Sequence, residues 1–163
     1  MRPQKISGRQ IMVDIEKTLL PWVGKSMKVI DYFFTDRFSQ KGIELTKVQW
    51  ILLKRLKQRN GISQHDLAFL TNRDKASLAR LITTMENKNL VARIPSDADQ
   101  RINQIYITSH GEKILKQAMP EVERMIAEMQ KGMSNEEKKT TIRVLQKLMN
   151  NIKSKELVAL ETN

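Results

Sequence analysis

At 163 residues the chain has the length of one domain able to bury a sizeable core. Twenty-nine Lys and Arg against eighteen Asp and Glu give a formal net charge of +11, which favours a polyanionic partner, though a solvated basic surface carries the same excess. With no cysteine, disulfides, thiolate metal sites and thiol sensing are excluded, and no apolar run approaches the roughly 20 residues that span a bilayer.

The N-terminus carries Arg2, Lys5 and Arg9 without a signal-peptide core, so the expected compartment is the cytoplasm, with no membrane partner. Ile11, Ile15, Leu19 and Leu20 predict a short amphipathic helix that Pro21 ends or re-aims. A second helix is expected over 22–40, where Val23, Met27, Ile30, Phe33, Phe34 and Phe38 form an apolar stripe wide enough for a core and an interface together. Gly42 closes it. Thr46 and Gln49 make a capping box for a helix through Val48, Trp50, Ile51, Leu52, Leu53 and Leu56. Its polar side holds Lys47, Lys54, Arg55, Lys57 and Arg59, either a solvated basic face or a set of phosphate contacts.

After the Asn60-Gly61 turn, Ser63 with Asp66 begins a short helix whose apolar stripe is Leu67 and Leu70. Thr71-Asn72-Arg73 is a polar turn, and Asp74 is placed to cap the next helix. There Leu78, Leu81, Ile82 and Met85 recur at the spacing of one buried face. The opposite face shows Lys75, Ala76, Ser77, Arg80, Thr83 and Thr84, short or cationic side chains that let a helix approach a polyanion. After Asn89 the period changes, and 90–94 and 104–108 read as strands around the polar loop from Pro95 to Arg101. Helix, turn, helix and hairpin in this order are a winged helix-turn-helix, with the second helix as reader of the major groove. Arg80 offers a fork to guanine O6 and N7, and Arg101 at the wing tip supplies the cation a narrow minor groove attracts.

Beyond the wing, Thr108 caps a long helix through Ile114, Leu115, Ala118, Met119, Val122, Met125, Ile126 and Met129, inside which Pro120 should introduce a kink. Lys131-Gly132 ends it. Ser134 with Glu137 is a third capping box, starting a helix through Ile142, Leu145, Leu148, Met149 and Ile152 that Leu157 and Leu160 extend. The two histidines, His65 and His110, lie in no catalytic or metal motif, there is no Gly-rich phosphate loop, and no nucleophile–base set emerges. No enzyme, metal site or cofactor is expected.

The helix opening Asp74-Lys75-Ala76-Ser77, its end Met85-Glu86-Asn87-Lys88-Asn89-Leu90-Val91, and the wing Asp99-x-Arg101 followed by Ile107-Thr108-x-x-Gly111 resemble the multiple-antibiotic-resistance regulator (MarR) family. Asn89 stands where that family usually has Gly, a mild change at a left-handed helix end, and Ile107 stands where it usually has Leu. The resemblance covers most of the chain and is weakest in the first twenty residues. It implies that the two chain ends meet as a dimer interface, that Asp99 helps hold Arg101, and that a small molecule, often an aromatic acid, controls repression.

The expectation is therefore a mainly α, single winged-helix domain over 1–163, with dimerisation helices in 11–40 and 109–160, the winged helix-turn-helix in 45–108, and a two-stranded wing. Its partners would be a pseudo-palindromic DNA operator and a second copy of itself. DNA contacts are expected from Arg73, Lys75, Ala76, Ser77, Arg80, Thr83, Thr84, Asp99 and Arg101. A mostly apolar effector is expected among Trp22, Met27, Phe34 and Trp50. The rival reading is a winged-helix module that binds an acidic protein without DNA specificity.

Overall fold

The computed structural model describes residues 14–71 and 73–161, with side chains to Ile152; Ile11, Asn72 and the side chains of Leu157 and Leu160 lie outside the described residues. A single 3-10 turn, Ile15–Lys17, precedes α1 (Leu19–Gln40). Then follow α2 (Lys47–Gln58), β1 (Ile62–Ser63), α3 (Gln64–Leu70), α4 (Lys75–Asn87), β2 (Val91–Pro95), β3 (Asn103–Ile107), α5 (Ser109–Met129) and α6 (Asn135–Glu161). By its internal contacts the chain divides into two compact units, Met1–Glu121 and Val122–Asn163, the division falling within α5.

Pro21 does not end a helix as its position predicts. It occupies the third residue of α1, in the first turn, where backbone N–H groups have no intrahelical acceptor and proline removes nothing. Phe34 and Phe38 of α1 are buried edge to face at 5.7 Å, and Phe34 also meets Trp50 of α2. The α2 capping box forms in both directions: Thr46 Oγ1 accepts from the Gln49 N–H at 3.2 Å, and Gln49 Oε1 accepts from the Thr46 N–H at 3.0 Å. Trp50, Leu52, Leu53 and Leu56 then pass into the core with Leu67, Leu78, Ile82, Met85 and Ile105.

The sheet has three strands in the order β1-β3-β2, all antiparallel, one more than the expected hairpin. Val91 pairs with Ile107 and Arg93 with Ile105, while Ile62 pairs with Ile105 from the other side. The extra strand is two residues long, too short for any alternation to show in sequence. Two glycines allow the close approaches that hold this region together. A Cβ at Gly61, whose φ is +71°, would lie 2.8 Å from the Tyr106 ring. A Cβ on Gly111 would collide with the Leu90 carbonyl, reaching 3.0 Å from its carbon. Asn89, with φ 53°, takes the left-handed turn after α4, and its carbonyl accepts the Thr108 hydroxyl. Thr108 Oγ1 in turn accepts the Gly111 N–H at 2.9 Å, which caps α5 as expected.

Candidate nucleic-acid interface

α4 begins as its sequence dictates: Asp74 Oδ1 accepts the Ser77 N–H at 2.8 Å, satisfying one orphan donor of the first turn. Leu78, Ile82 and Met85 are buried, which turns Lys75, Ala76, Arg80, Thr83 and Thr84 outward to solvent. Arg73 and Ser77 lie half-buried at the start of the helix, joined from Arg73 Nη1 to Ser77 Oγ at 3.2 Å. The hydroxyls of Thr83 and Thr84 donate back to Ala79 and Arg80 carbonyls at 3.0 Å each. Thr84 therefore presents acceptor lone pairs outward, whereas Thr83 Oγ1 already accepts from Arg93 Nη2 at 3.0 Å.

Preceding α4, the short helix α3 is capped by Ser63, whose Oγ accepts the Asp66 N–H at 3.0 Å. Its buried pair is Leu67 and Ala68, whereas Leu70 is 47% exposed, a departure from the expected Leu67–Leu70 stripe. Seven residues make only two turns, and the Arg73 N–H donates to the Ala68 carbonyl at 3.0 Å, closing the tight turn into α4.

The wing loop is ordered by its own polar groups. Ser96 N–H donates to the Ile102 carbonyl at 2.8 Å, and Ile102 N–H to the Asp99 carbonyl at 2.9 Å. Asp99 Oδ1 accepts the backbone N–H of Arg101 at 2.9 Å. The carboxylate thus holds the arginine through its backbone, and among the described residues the Arg101 guanidinium stays exposed and unpaired.

Arg93 was not singled out by sequence reasoning, yet it ties wing to helix. Its Nη2 donates to the Ala79 carbonyl and to Thr83 Oγ1, both at 3.0 Å, and its Nη1 pairs with Glu86 at 3.0 Å. The basic side of α2 is partly neutralised from other elements: Lys47 pairs with Asp31, and Lys57 with Glu112 at 2.6 Å.

The four expected effector residues do not gather in one place. Phe34 and Trp50 touch in the core, while Trp22 and Met27 are 63% and 48% exposed along α1. The Trp50 indole N–H is buried without a hydrogen-bond acceptor, and Lys54 lies over its ring at 5.3 Å. Beside Lys54, a cavity of about 640 Å³ opens between α2 and α5, with Lys57, Glu112, Lys113, Leu115 and Met119 among its walls. Among the described residues no three His, Cys, Asp or Glu side chains gather as a metal would require, and no helix is long and apolar enough to cross a membrane.

Two helices at a tight turn, the second exposed on its cationic face and flanked by a sheet with an arginine-tipped loop, define a winged helix-turn-helix protein. Residues 45–102 match the model of the MarR family. The chain is similar to the transcriptional regulator HosA of Escherichia coli O111:H-, 33% identical over 116 residues that span 71% of this chain and 86% of HosA. Among solved structures it shares its fold with the S. aureus MepR–DNA complex, at a TM-score of 0.76 and 21% identity over 83% of this chain and 98% of MepR. The same fold appears in PcaV of Streptomyces coelicolor in complex with its natural ligand, at a TM-score of 0.74 and 13% identity over 85% of this chain and 96% of PcaV. The chain belongs to the MarR family of transcriptional regulators.

Proposed function

We propose that the chain is a homodimeric, sequence-specific DNA-binding repressor released by a small apolar or aromatic ligand. One observation carries the DNA reading. The outward face of α4 offers Lys75, Ala76, Arg80 and Thr84 with no carboxylate among them, and the exposed Arg101 stands on the adjoining wing. α4 enters the major groove, with Arg80 at base edges and Lys75 at phosphate, while Arg101 enters the flanking minor groove. Arg73 and Asp99 act one step back, orienting Ser77 and Arg101 through the bonds already described. Two-fold symmetry places half-site centres one helical turn apart, roughly 34–36 Å. The solution of MepR on DNA supports this reading by likeness of fold.

Ligand control rests on the cavity between α2 and α5, whose volume lies within the range of small-molecule sites. Its lysine-rich rim over Leu115 and Met119 suits a carboxylate on an apolar body. The solution of PcaV with its natural ligand supports a ligand role by likeness. A ligand releases DNA only by favouring one spacing of the two recognition helices over another, which takes several kcal/mol of discrimination between states.

The test is selection of bound duplexes from a random pool, followed by titration of the selected complex with aromatic carboxylates. A two-fold symmetric consensus, lost in Arg80→Ala, is the expected outcome, with release on titration. Retention of no duplex above background, together with salt-steep capture of acidic protein, would replace this reading with that of a protein-binding module.

A further inference from the structure

A second cleft, of about 270 Å³, lies where α3, α4 and the wing converge. Its walls are Gln64 and His65 of α3, Lys75 at the start of α4, and Arg101, Ile102 and Asn103 of the wing. Three groups that carry or can carry positive charge reach it from three separate segments, two amides stand between them, and no carboxylate lines it. None of the three is held in an ion pair among the described residues, and all three are exposed. Cations brought together without a counter-charge repel one another, so the arrangement is best satisfied by an anion between them.

We propose that this cleft seats one backbone phosphodiester of the bound duplex between the recognition helix and the wing, with His65 as its third cationic wall. The proposal rests on the DNA reading above and adds the phosphate that links the two groove contacts. The first helix of a helix-turn-helix crosses the DNA backbone, which is where His65 stands on α3. An imidazole changes charge between about pH 5 and 8, unlike Lys75 and Arg101, so this wall alone is conditional. The charged groups that share the cleft with His65 are Lys75 from α4 and Arg101 from the wing, both cations. A phosphodiester seated between them carries a negative charge that favours the protonated imidazole. Protonation and DNA binding therefore favour each other, and affinity rises as pH falls.

The experiment measures the affinity of the full chain for a selected duplex against salt concentration, at pH 5.8 and at pH 8.0. One additional neutralised phosphate steepens the slope of log K against log salt by about 0.9. The wild type is expected to show that increment at the lower pH, with affinity rising about tenfold, the size of one charge-assisted contact. His65→Gln keeps a donor without the charge and is expected to give one slope at both pH values; His110→Gln, outside the cleft, should behave as wild type. A neutral methylphosphonate, placed at each backbone position in turn, should abolish the pH response at a single position per half-site. Equal slopes in the wild type, or a pH increment that survives in His65→Gln, overturn the phosphate seat while leaving DNA binding intact. Failure to retain any duplex at either pH overturns the DNA reading and this inference with it.

Discussion

Arg93 on β2 and Glu86 near the end of α4 are joined twice: Glu86 Oε1 accepts the Arg93 backbone N–H at 3.2 Å, and Glu86 Oε2 meets Arg93 Nη1 at 3.0 Å. With the bonds from Nη2 to Ala79 and Thr83, one side chain fixes the root of the wing to the middle and the end of the recognition helix. Both side chains are a little over one-quarter exposed, so solvent screens the pair only partly. Arg93→Ala removes several charge-assisted bonds and should lower stability by about 1–3 kcal/mol, read as a fall in melting temperature. DNA affinity should fall further than stability explains, because the spacing of Arg101 from α4 is no longer set. Arg93→Lys keeps the charge but loses the fork, and should recover little of either. A melting temperature equal to wild type in Arg93→Ala would show that the wing is held by its sheet alone.

Asp99 and Arg101 separate two roles within one loop. Arg101→Ala should weaken binding to a selected duplex with little change in folding stability, since its guanidinium is exposed and unpaired among the described residues. Asp99→Ala leaves the guanidinium untouched but frees the backbone N–H it holds. It should therefore weaken binding less than Arg101→Ala, and the double variant should be no weaker than Arg101→Ala alone. Additive losses in gel-shift titrations would mean that Asp99 acts independently of Arg101.

Among the described glycines, Gly111→Ala should be the most disruptive. The new Cβ would meet the Leu90 carbonyl, a backbone group that cannot rotate away, at the junction of α4, β2 and α5. Overpacking of this kind costs about 1–3 kcal/mol and more where the obstacle is backbone, so a loss of at least about 2 kcal/mol is expected in denaturant unfolding. Gly24→Ala, where an added Cβ meets nothing within 4 Å, is the control and should be neutral or better inside a helix.

Much of this architecture was legible from short-range chemistry. The Thr46–Gln49, Asp74–Ser77 and Ser134–Glu137 contacts each span three residues, so the residue types alone announce them. The outward face of α4 follows from the period of Leu78, Ile82 and Met85. What escaped is non-local. β1 exists only because Ile62 meets Ile105, a pairing that no pattern in two residues can signal. Arg93 binds partners seven to fourteen residues earlier, across the change from helical to strand period, where no spacing rule applies. The exposure of Leu70 follows from the tight turn into α4, a tertiary constraint that overrides the expected stripe. Glu121, next to the helix-interior Pro120, is buried and meets Arg37 of α1 at 3.9 Å, a pairing equally hidden from local pattern.

The N-terminus of α6 should be acid-sensitive. The Ser134 backbone N–H, donating to the Glu137 carboxylate at 2.7 Å, holds that carboxyl below the usual glutamate range, and the Ser134 side chain acts in the same direction. A carboxyl whose folded pKa is depressed contributes stability fully above its unfolded value, about 4.3, and loses it as pH falls through the lower folded value. The capping contribution should thus be constant from pH 7 down to about 5 and decline below that. Helix content followed by circular dichroism should show a smaller acid loss in Glu137→Gln than in the wild type, because the amide keeps its acceptor oxygen at every pH. Identical acid profiles would remove Glu137 as the cause.

The dimer is tested on α6. Ile142, Leu145, Met149 and Ile152 recur at three- and four-residue spacing and stand 57%, 38%, 46% and 55% exposed in the single chain. On α1, Leu20, Trp22, Val29 and Tyr32 are likewise exposed. Monomers rarely leave apolar rows of this extent to water, and full burial of each such side chain is worth about 1.5–3 kcal/mol. If the chain were a native monomer, Leu145→Glu with Leu148→Glu would place charges on a largely solvated face and change stability by little more than about 0.5 kcal/mol per site. If these residues meet a second copy, the same carboxylates would be buried without partners, and the double variant should sediment as monomer or lose its cooperative unfolding transition. Wild-type melting temperature should then rise with protein concentration, as mass action requires of an associating fold. A wild-type chain that sediments as a stable monomer at micromolar concentration, with a concentration-independent melt, would rule out the homodimer and with it the two-fold symmetric operator.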